Sequence, residues 1–357
     1  MSMAAIGKSA IYILFMCCLF VGGASGFSVF SNNEFSANET QKNGWEVDVH
    51  WQGSDRTHSD PLATRESVFS RVRGPSSNRP APTFPTPTLP ITKQRGYQYR
   101  YGGGRGRSTE IYDFNEMDRF GVPDWEIDNK FKYDEFRFVR VKYRSIGYSR
   151  FGAKWRIDYP DSDLNFSFRL QQLTSLKVNP DPIVLELTDE KILDYPFMYL
   201  IEPGDIALTD EEVLGMRRYL NNGGFIMVDD FWSDYEWYAL EEQMKQVLPG
   251  KRYVELELDH PIFSCVYDLK KKPQCPAIGR YEMSGYTTDR PGDPTARDVH
   301  YRAYFDDNDR MCMIACHNTD LGDGWEREGE SEFYFKRFSE KEAYPMGINI
   351  VVYAMTH

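Results

Sequence analysis

The second part of the chain alternates short apolar runs with stretches of helical periodicity, and this alternation constrains the fold more than any other feature. After Gly121 the apolar runs are of strand length, and the stretches between them repeat apolar residues at three- and four-residue spacing. Alternating strands and helices with short connections indicate a parallel sheet that helices cover on both faces. We therefore predict an α/β fold, three-layer and flavodoxin-like with a mainly parallel sheet, for residues 121–357.

Six apolar runs in this part of the chain are predicted to be strands. Several are wholly apolar, as strands buried on both faces are, and the fifth alternates polar and apolar residues as a half-exposed edge strand does. In chain order they are Phe136–Tyr143, Ile183–Leu187, Phe197–Ile201, Phe225–Val228, Tyr253–Leu258 and Met311–His317.

Between these strands the sequence contains signals for the starts and ends of helices. The closing stretch "YPMGINIVVYAMTH" is predicted to be a docked helix from its length and terminal position. Lys270–Arg310 is a long polar insertion without a predicted strand or helix. Gly223 and the pair Pro249-Gly250 are predicted to end two of the helices. The predicted N-terminal caps are Asp161 or Ser162, the capping box of Thr209 with Glu212, and the capping box of Ser233 with Glu236.

The first 26 residues form a predicted secretory signal peptide. A single Lys8 precedes the apolar run "AIYILFMCCLFVGG", and the small residues Ala24-Ser25-Gly26 follow it as a cleavage site does. An uncleaved anchor is the alternative, because a spanning helix needs about 20 apolar residues and Ala4–Ile6 could extend the run. Either interpretation places the protein in the periplasm or cell envelope.

Residues 27–120 are predicted to be a disordered linker. Six prolines lie between Pro75 and Pro90, and the segment Arg71–Arg107 contains eight Arg or Lys residues and no Asp or Glu. Since the whole chain carries a net charge of −12, the remaining sequence carries −20. The basic segment favours anionic lipid or envelope polymer as a partner, or none. Nucleic acid is not expected as a partner of an exported chain.

Four cysteines follow the signal segment. Cys265 and Cys275 could close a short disulfide loop in an oxidising compartment, whereas Cys312 and Cys316 lie in one apolar run and are predicted to be core residues. None of the spacings is that of a zinc site or a C-x-x-C redox pair.

Several separated stretches resemble a known family. They are "YPDSDLNFSFRLQQLTSLKVNPDP", "YPFMYLIEPGDIALTDEEVLGMRRYLNNGGFIMVDDFW", "DHPIF", "HNTDLGDGWE" and "GINIVVYAMTH". Over about Phe136 to His357 the sequence is similar to the bacterial family of domain of unknown function 4159, which resembles the class I glutamine amidotransferase-like fold. The resemblance implies that architecture and carries no established reaction.

The catalytic cysteine of such amidotransferases is missing. That nucleophile would lie on a tight turn between a strand and a helix. After Val228 this sequence instead has Asp-Asp-Phe-Trp, so glutamine hydrolysis by that route is excluded. Cys316, beside His317, lies two residues inside an apolar strand and is expected to be buried rather than reactive.

Polar side chains follow the carboxyl ends of the predicted strands, where open parallel sheets bind ligands. The "DYPDSD" turn after the first strand adds Asp158, Asp161 and Asp163 to this edge. The candidate ligand-binding residues are Glu202, Asp205, Asp229, Asp230, Trp232, His260, His317, Asn318 and Asp320.

Two interpretations of the aspartate pair remain open. Asp229 or Asp230 could hold a divalent metal or a polar ligand together with His317, His260 or Asp320, because metal sites use such oxygen and nitrogen donors. Alternatively, one aspartate accepts backbone hydrogen bonds before the Ser233 helix and the other faces water. His317 and Asn318 are expected to meet each other or a ligand.

These observations lead to two main hypotheses of function, beside a third in which the chain is a purely structural assembly component recruited through the basic linker and the Lys270–Arg310 insertion. The first is an exported, non-catalytic amidotransferase-like module that needs no cofactor and binds a small polar ligand or an envelope protein. The second is an Asp/His-based hydrolase, with metal assistance as a variant of it.

Overall fold

The computed structural model describes residues 119, 121–127, 130, 134–149 and 152–357. The predicted signal peptide and almost all of the predicted linker lie outside these residues. Within the described part of the chain, no helix combines the length and apolar character needed to span a bilayer.

A seven-stranded, mostly parallel sheet forms the centre of the domain. Its strand order is β4-β1-β5-β6-β9-β8-β7, and β2 and β3 form a separate hairpin. The strands from β4 to β9 in this order run parallel. β8 pairs antiparallel with β9, and β7 pairs antiparallel with β8. The bounds are β1 Val139–Lys142, β2 Tyr148–Ser149, β3 Gly152–Ala153, β4 Ile183–Glu186, β5 Phe197–Ile201, β6 Phe225–Phe231, β7 Val254–Glu255, β8 His300–Phe305 and β9 Met311–His317.

Helices connect the strands. The α-helices are α1 Asp161–Leu173, α2 Asp210–Asn221, α3 Ser233–Val247, α4 Ile278–Ser284, α5 Leu321–Glu326, α6 Glu332–Tyr334 and α7 Tyr344–Thr356, with a π-helix at Phe335–Ala343 before α7. Short 3-10 helices lie at Lys154–Arg156, Glu190–Asp194, Pro203–Asp205, Pro261–Phe263 and Pro294–Ala296.

Two hydrophobic clusters pack on opposite faces of the sheet. Along β5, Phe197 and Tyr199 belong to one cluster and Met198 and Leu200 to the other, because successive side chains of a strand point to opposite faces. The first cluster includes residues of α1, α5 and α7, and the second includes residues of α2 and α3. This arrangement confirms the mainly parallel α/β prediction and is compatible with three layers.

The direction of the connections reverses between β1 and β5. From β1 the chain passes through α1 to β4 on one side, whereas from β5 it passes through α2 to β6 on the other. Such a reversal opens a crevice beyond the carboxyl ends of the two central strands. The sheet therefore places its binding crevice beside the ends of β1, β5 and β6.

Several predicted details are confirmed. Thr209 and Glu212 form the expected capping box of α2, with both reciprocal hydrogen bonds present. Gly223, which follows that helix, has a φ of 99°, a backbone conformation that favours glycine. The predicted edge strand corresponds to β7 at the edge of the sheet, and the chain ends in the predicted docked helix, α7.

Other predicted details are wrong. Neither Asp161 nor Ser162 caps α1, since the capping position is Pro160, without a side-chain bond. Ser233 does not cap α3. It has a φ of 72° inside the first turn, and the Glu236 carboxylate instead accepts a hydrogen bond from the Trp232 amide at 2.7 Å.

The polar insertion contains a strand of the main sheet that the sequence interpretation missed. β8 includes Arg302, which is 9 % exposed although it is charged. Its guanidinium lies 3.3 Å from Glu255 and over the Trp237 ring, so the buried charge has partners from distant parts of the chain.

The four cysteines among the described residues are free. Cys265 and Cys275 do not form the disulfide that their spacing allowed. Cys312 and Cys316 are fully buried, as predicted for core residues.

Candidate functional site

An acidic cleft of about 930 Å³ lies at the carboxyl edge of the parallel strands. Its lining comes from the Lys154–Tyr159 segment after β1, the end of β5, the end of β6, helix α4 and helix α5. Nine lining residues are Asp or Glu and five are Lys or Arg. The cleft therefore has an excess of four negative charges when all of these groups are ionised.

Asp230 lies near the carboxyl end of β6 and lines the cleft. The pairing of β6 with β9 shifts register between Val228 and Phe231, and Asp230 within this irregularity has a left-handed φ of 53°. Its Oδ1 accepts a hydrogen bond from the Trp232 indole at 3.1 Å, and the residue is 8 % exposed. A non-glycine residue is held in this conformation only where its surroundings enforce it, which is common at functional sites.

Asp158 enters from the turn between the first 3-10 helix and α1. Its φ is 62°, and its Oδ2 is shielded from solvent and accepts no hydrogen bond from the described residues. Arg140 on β1 holds this turn by donating to the Trp155 and Ile157 carbonyls at 3.2 and 2.9 Å, while Asp163 on α1 pairs with the same guanidinium. A buried ion pair below the sheet edge thus fixes the position of Asp158.

Asp320 comes from the turn after β9. It caps α5 by accepting a hydrogen bond from the Asp323 amide at 2.7 Å, and it is 3 % exposed. Its own amide donates to the Cys275 carbonyl at 2.8 Å. The carboxylate is therefore fixed at a helix start, close to the ends of β6 and β1.

Asp158, Asp230 and Asp320, the aspartate triad, converge on one point of the cleft floor. One carboxylate oxygen from each lies within 4.8 Å of the others. No Lys or Arg among the described residues lies within 4.0 Å of any of them to form an ion pair. Burial in the first place, and then neighbouring carboxylates, raise the pKa of each of the three well above its usual range.

Five of the six other acidic residues of the cleft have basic partners, whereas Asp289 forms no ion pair with a described residue and accepts a hydrogen bond from the Ala277 amide. Glu202 pairs with Lys154, and Glu236 pairs with Arg290 at 2.8 Å. Glu326 lies 2.6 Å from Arg327, which also lies 3.7 Å from Asp323. The aspartate triad therefore differs from these five paired residues, because no Lys or Arg among the described residues forms an ion pair with any of its members.

Asp229 lies beneath the cleft rather than in it. Its Oδ2 accepts hydrogen bonds from the Tyr199 hydroxyl at 3.0 Å and from the Gly322 amide at 2.9 Å, whereas its Oδ1 accepts none from the described residues. Burial raises the pKa of Asp229 to about 7, against the lowering effect of these hydrogen bonds. Asp229 thus accepts a backbone N–H as one interpretation expected, but from α5 rather than from the turn before α3.

Gly322 lies where a side chain would obstruct the floor. A Cβ added to it would lie 2.6 Å from the Tyr199 hydroxyl and 2.8 Å from Asp158 Oδ2. Glycine is thus required for the close approach of α5 to β5 and to the Asp158 turn.

His317 and Asn318 contact protein groups outside the cleft. The two ring nitrogens of His317 contact Arg302 at 3.1 Å and the Ser233 carbonyl at 2.9 Å, and burial first, then Arg302, lowers its pKa to about 3. Asn318 accepts a hydrogen bond from the Ser233 amide at 2.8 Å and donates to the Thr295 and Asp298 carbonyls. Both side chains hold the start of α3, and neither lines the cleft.

The remaining candidates divide between the cleft and other places. Glu202 and Trp232 line the cleft together with Asp230 and Asp320. Asp205 lies 4.0 Å from Lys154 without lining the cleft. His260 is distant from it and starts a 3-10 helix, its Nδ1 accepting a hydrogen bond from the Ile262 amide at 3.2 Å. Four of the candidate residues thus lie together at one cleft, and their binding of a ligand stays a prediction.

Asp323 and Glu326 were missed as cleft residues. Together with Asp158 they form a second group of carboxylates whose oxygens lie within 4.8 Å of one another. The three acidic residues of "DLGDGWE" were the sequence signal for them. That signal indicates a cleft position only when the start of α5 is known to lie at the cleft floor.

Cysteine chemistry has no place in this cleft. Within the described residues, the lining contains no Cys, Ser, Thr or His. Burial raises the pKa of Cys316 well above its usual range, so its thiol stays protonated in the core.

A family model described as a domain of unknown function (DUF4159) matches residues 137–355, which is more than half of the chain. No curated protein gives a significant match.

Proposed function

The chain belongs to the family described as domain of unknown function DUF4159, and from this premise we propose that it is a non-catalytic module that binds a positively charged polar ligand. The observation that carries this proposal is the acidic cleft, in which nine carboxylates face five basic groups. Opposite charge is favoured in such a cleft, because its walls exclude water and strengthen electrostatic interactions. An anionic ligand would add to the repulsion already present.

The lining supports binding over covalent catalysis. Within the described residues it offers no Cys, Ser, Thr or His side chain, so a Ser, Thr or Cys nucleophile activated by a neighbouring histidine is not assembled there. The Asp/His hydrolase alternative needs His317 beside Asp229 or Asp230. His317 instead bonds to Arg302 and to the Ser233 carbonyl, and this observation disfavours the alternative.

Spermidine and inorganic phosphate test the sign of the ligand's charge. We expect spermidine to raise the Tm of the full-length protein at low ionic strength, and the effect to shrink in about 0.15 M salt, where the Debye length is about 8 Å. Phosphate alone should leave the Tm unchanged. Stabilisation by phosphate but not by spermidine would contradict the proposal.

A matched pair of variants separates the cleft from the general charge of the surface. Glu236→Gln removes a lining carboxylate and leaves Arg290 unpaired, so spermidine should bind more weakly. Glu242→Gln removes an exposed carboxylate from the same helix α3, one that pairs with Lys245 and does not line the cleft. Equal weakening in both variants would indicate non-specific attraction.

Export of the module is a second part of the proposal. The sequence of the first 26 residues supports it, and the basic segment Arg71–Arg107 supports contact with anionic lipid or envelope polymer, or recruitment of an envelope protein. Cell fractionation with and without residues 1–26 tests export, and recovery of both forms in the cytoplasm would count against it.

A relationship to the class I glutamine amidotransferase-like fold is also proposed. It is supported by the five parallel strands and by the helices packed on both faces. Superposition of an experimental structure on such an enzyme tests it, and a different strand order would contradict it.

A further inference from the structure

We propose that Asp158, Asp230 and Asp320 bind one divalent metal ion of the Mg²⁺, Ca²⁺ or Mn²⁺ type on the floor of the cleft. The inference rests on the proposed function, because the ion would be the positive charge that the cleft accepts, or would hold an oxygen-bearing ligand there. It extends that function by naming the ion class and the residues that hold it.

The spacing of the carboxylates fits a shared ion. These cations bind oxygen at about 2.0 to 2.6 Å, so two ligand atoms of one ion lie at most about 5 Å apart. One oxygen from each of the three aspartates lies within 4.8 Å of the others. Asp230 lies at the end of β6, Asp320 follows β9, and Asp158 lies in the turn before α1, so the folded domain itself assembles the donors.

The side chain of Asp158 points independently to a missing partner. Its Oδ2 is shielded from solvent and accepts no hydrogen bond from the described residues. Buried polar atoms are nearly always partnered, and an orphaned carboxylate oxygen therefore needs an explanation such as an ion. The absence of a side chain on Gly322 keeps the space beside this oxygen open, since a Cβ there would lie 2.8 Å from it.

The distribution of basic residues limits the number of ions to one. The second carboxylate group, in which Asp158 joins Asp323 and Glu326, has Arg327 at 3.7 and 2.6 Å from the latter two. That guanidinium occupies the place a second cation would take. Of the two carboxylate groups, the aspartate triad is the one without such an ion pair to a described residue.

The donors select hard cations. All three are carboxylates, and oxygen-only sites favour Mg²⁺, Ca²⁺ and Mn²⁺ over Zn²⁺ or Cu²⁺, which prefer imidazole and thiolate. Three protein carboxylates leave coordination positions for water or for oxygens of a ligand, because these ions take about six to eight oxygens.

Metal titration of the full-length chain tests the proposal. After chelator treatment, equilibrium dialysis against Mn²⁺, Ca²⁺ and Mg²⁺ with elemental analysis should give one ion per chain for at least one of them. Asp230→Asn and Asp320→Asn should each weaken binding at least tenfold, and Asp259→Asn, at an exposed position outside the cleft, should leave it unchanged.

Folding of the variants is checked in the absence of metal. Asparagine keeps the shape of the carboxyl and removes a buried like charge, so the metal-free Tm should stay the same or rise. What should disappear is the increase in Tm that metal gives the unaltered chain. Equal metal binding by the unaltered chain and both triad variants would overturn the proposal, as would no binding at millimolar metal.

The outcomes separate this inference from the proposed function. Stabilisation by spermidine without specific metal binding leaves the cationic-ligand proposal standing and removes the metal site. Absence of both removes both. Stoichiometric metal binding that depends on Asp323 rather than on Asp230 would place the ion in the second carboxylate group and would also overturn the inference.

Discussion

Three backbone conformations account for much of the site at the scale of single residues. Asp158, Asp230 and Glu202 all have positive φ, in a region that non-glycine residues avoid because their Cβ crowds the backbone. Each such residue costs of order 1 to 3 kcal/mol, which the surrounding structure must offset. The strain turns two of the triad carboxylates towards the cleft floor.

Gly322→Ala is predicted to damage the floor. The new methyl group would lie within 3 Å of Tyr199 and Asp158, so we expect a loss of about 1 to 3 kcal/mol in unfolding free energy and weaker binding of Mn²⁺. Gly279→Ala is the matched control, since its Cβ would meet nothing within 4 Å although the residue lines the same cleft. Equal Tm and metal affinity in both variants would argue against a tightly packed floor.

Asp229 is predicted to make the metal-free protein less stable as the pH rises. Its pKa of about 7 in the folded state exceeds the ordinary value of 3.8. Its contribution to the free energy of unfolding is therefore fully present below about pH 4 and is lost as the pH rises through 7. The limiting loss is on the order of 4 kcal/mol. Denaturant titrations from pH 4 to 8 should show a shallower decline for Asp229→Asn, and an identical decline in both proteins would contradict the assignment.

At the scale of elements, the start of α3 depends on side chains that follow β9. Asn318→Ala removes the acceptor for the Ser233 amide and two donors to the Thr295 and Asp298 carbonyls, and it places alanine at a φ of 61°. We expect a loss of about 2 to 4 kcal/mol in unfolding free energy. Metal affinity of the folded fraction should stay close to that of the unaltered chain. A folded, stable variant that has lost only ligand binding would restore the functional interpretation of Asn318.

The elements show what the sequence could predict and what it could not. The apolar runs and the capping box of α2 have local signals, so β5, β9, α2 and α7 were found. β6 was predicted to end at Val228 but continues to Phe231, because Asp229 and Asp230 find partners in Tyr199, Gly322 and Trp232. β8 was missed because its buried Arg302 needs partners that lie far away in the chain, and the local sequence gives no signal of them.

In the candidate site, too, residues with a local sequence signal were predicted, and residues that depend on distant contacts were not. Asp230 and Asp320 were predicted from their places after apolar strands, which is a local pattern. The role of Asp158 depends on Arg140 holding its turn from a different strand, and this contact has no signal in the spacing of residues. His317 has the same local pattern as Asp230, and only the position of Arg302 shows that its ring belongs to the core.

For the molecule as a whole, the site lies where the topology favours one. The connections reverse direction between β1 and β5, and the cleft opens beyond these strands and β6. Nine carboxylates lie together in this cleft, and their mutual repulsion raises the free energy of the cation-free state. Stability and cation binding are therefore expected to be linked.

The linkage between stability and cation binding predicts how much a bound metal ion raises the Tm. An ion at 100 times its Kd stabilises a folded protein by about 2.7 kcal/mol. For a domain of this size that corresponds to roughly 5 to 10 °C in Tm. The shift should be present in the unaltered chain with the best-bound metal and absent in Asp320→Asn. A shift of equal size in both would mean that the stabilising ion binds elsewhere.

The most direct test is a crystal structure of the protein grown with Mn²⁺ and measured for anomalous scattering. We expect one strong anomalous peak in the cleft, within about 2.3 Å of carboxylate oxygens from Asp158, Asp230 and Asp320. A cleft without a peak in a crystal saturated with Mn²⁺, or a single peak at Asp323 and Glu326 with Arg327 displaced, would contradict it.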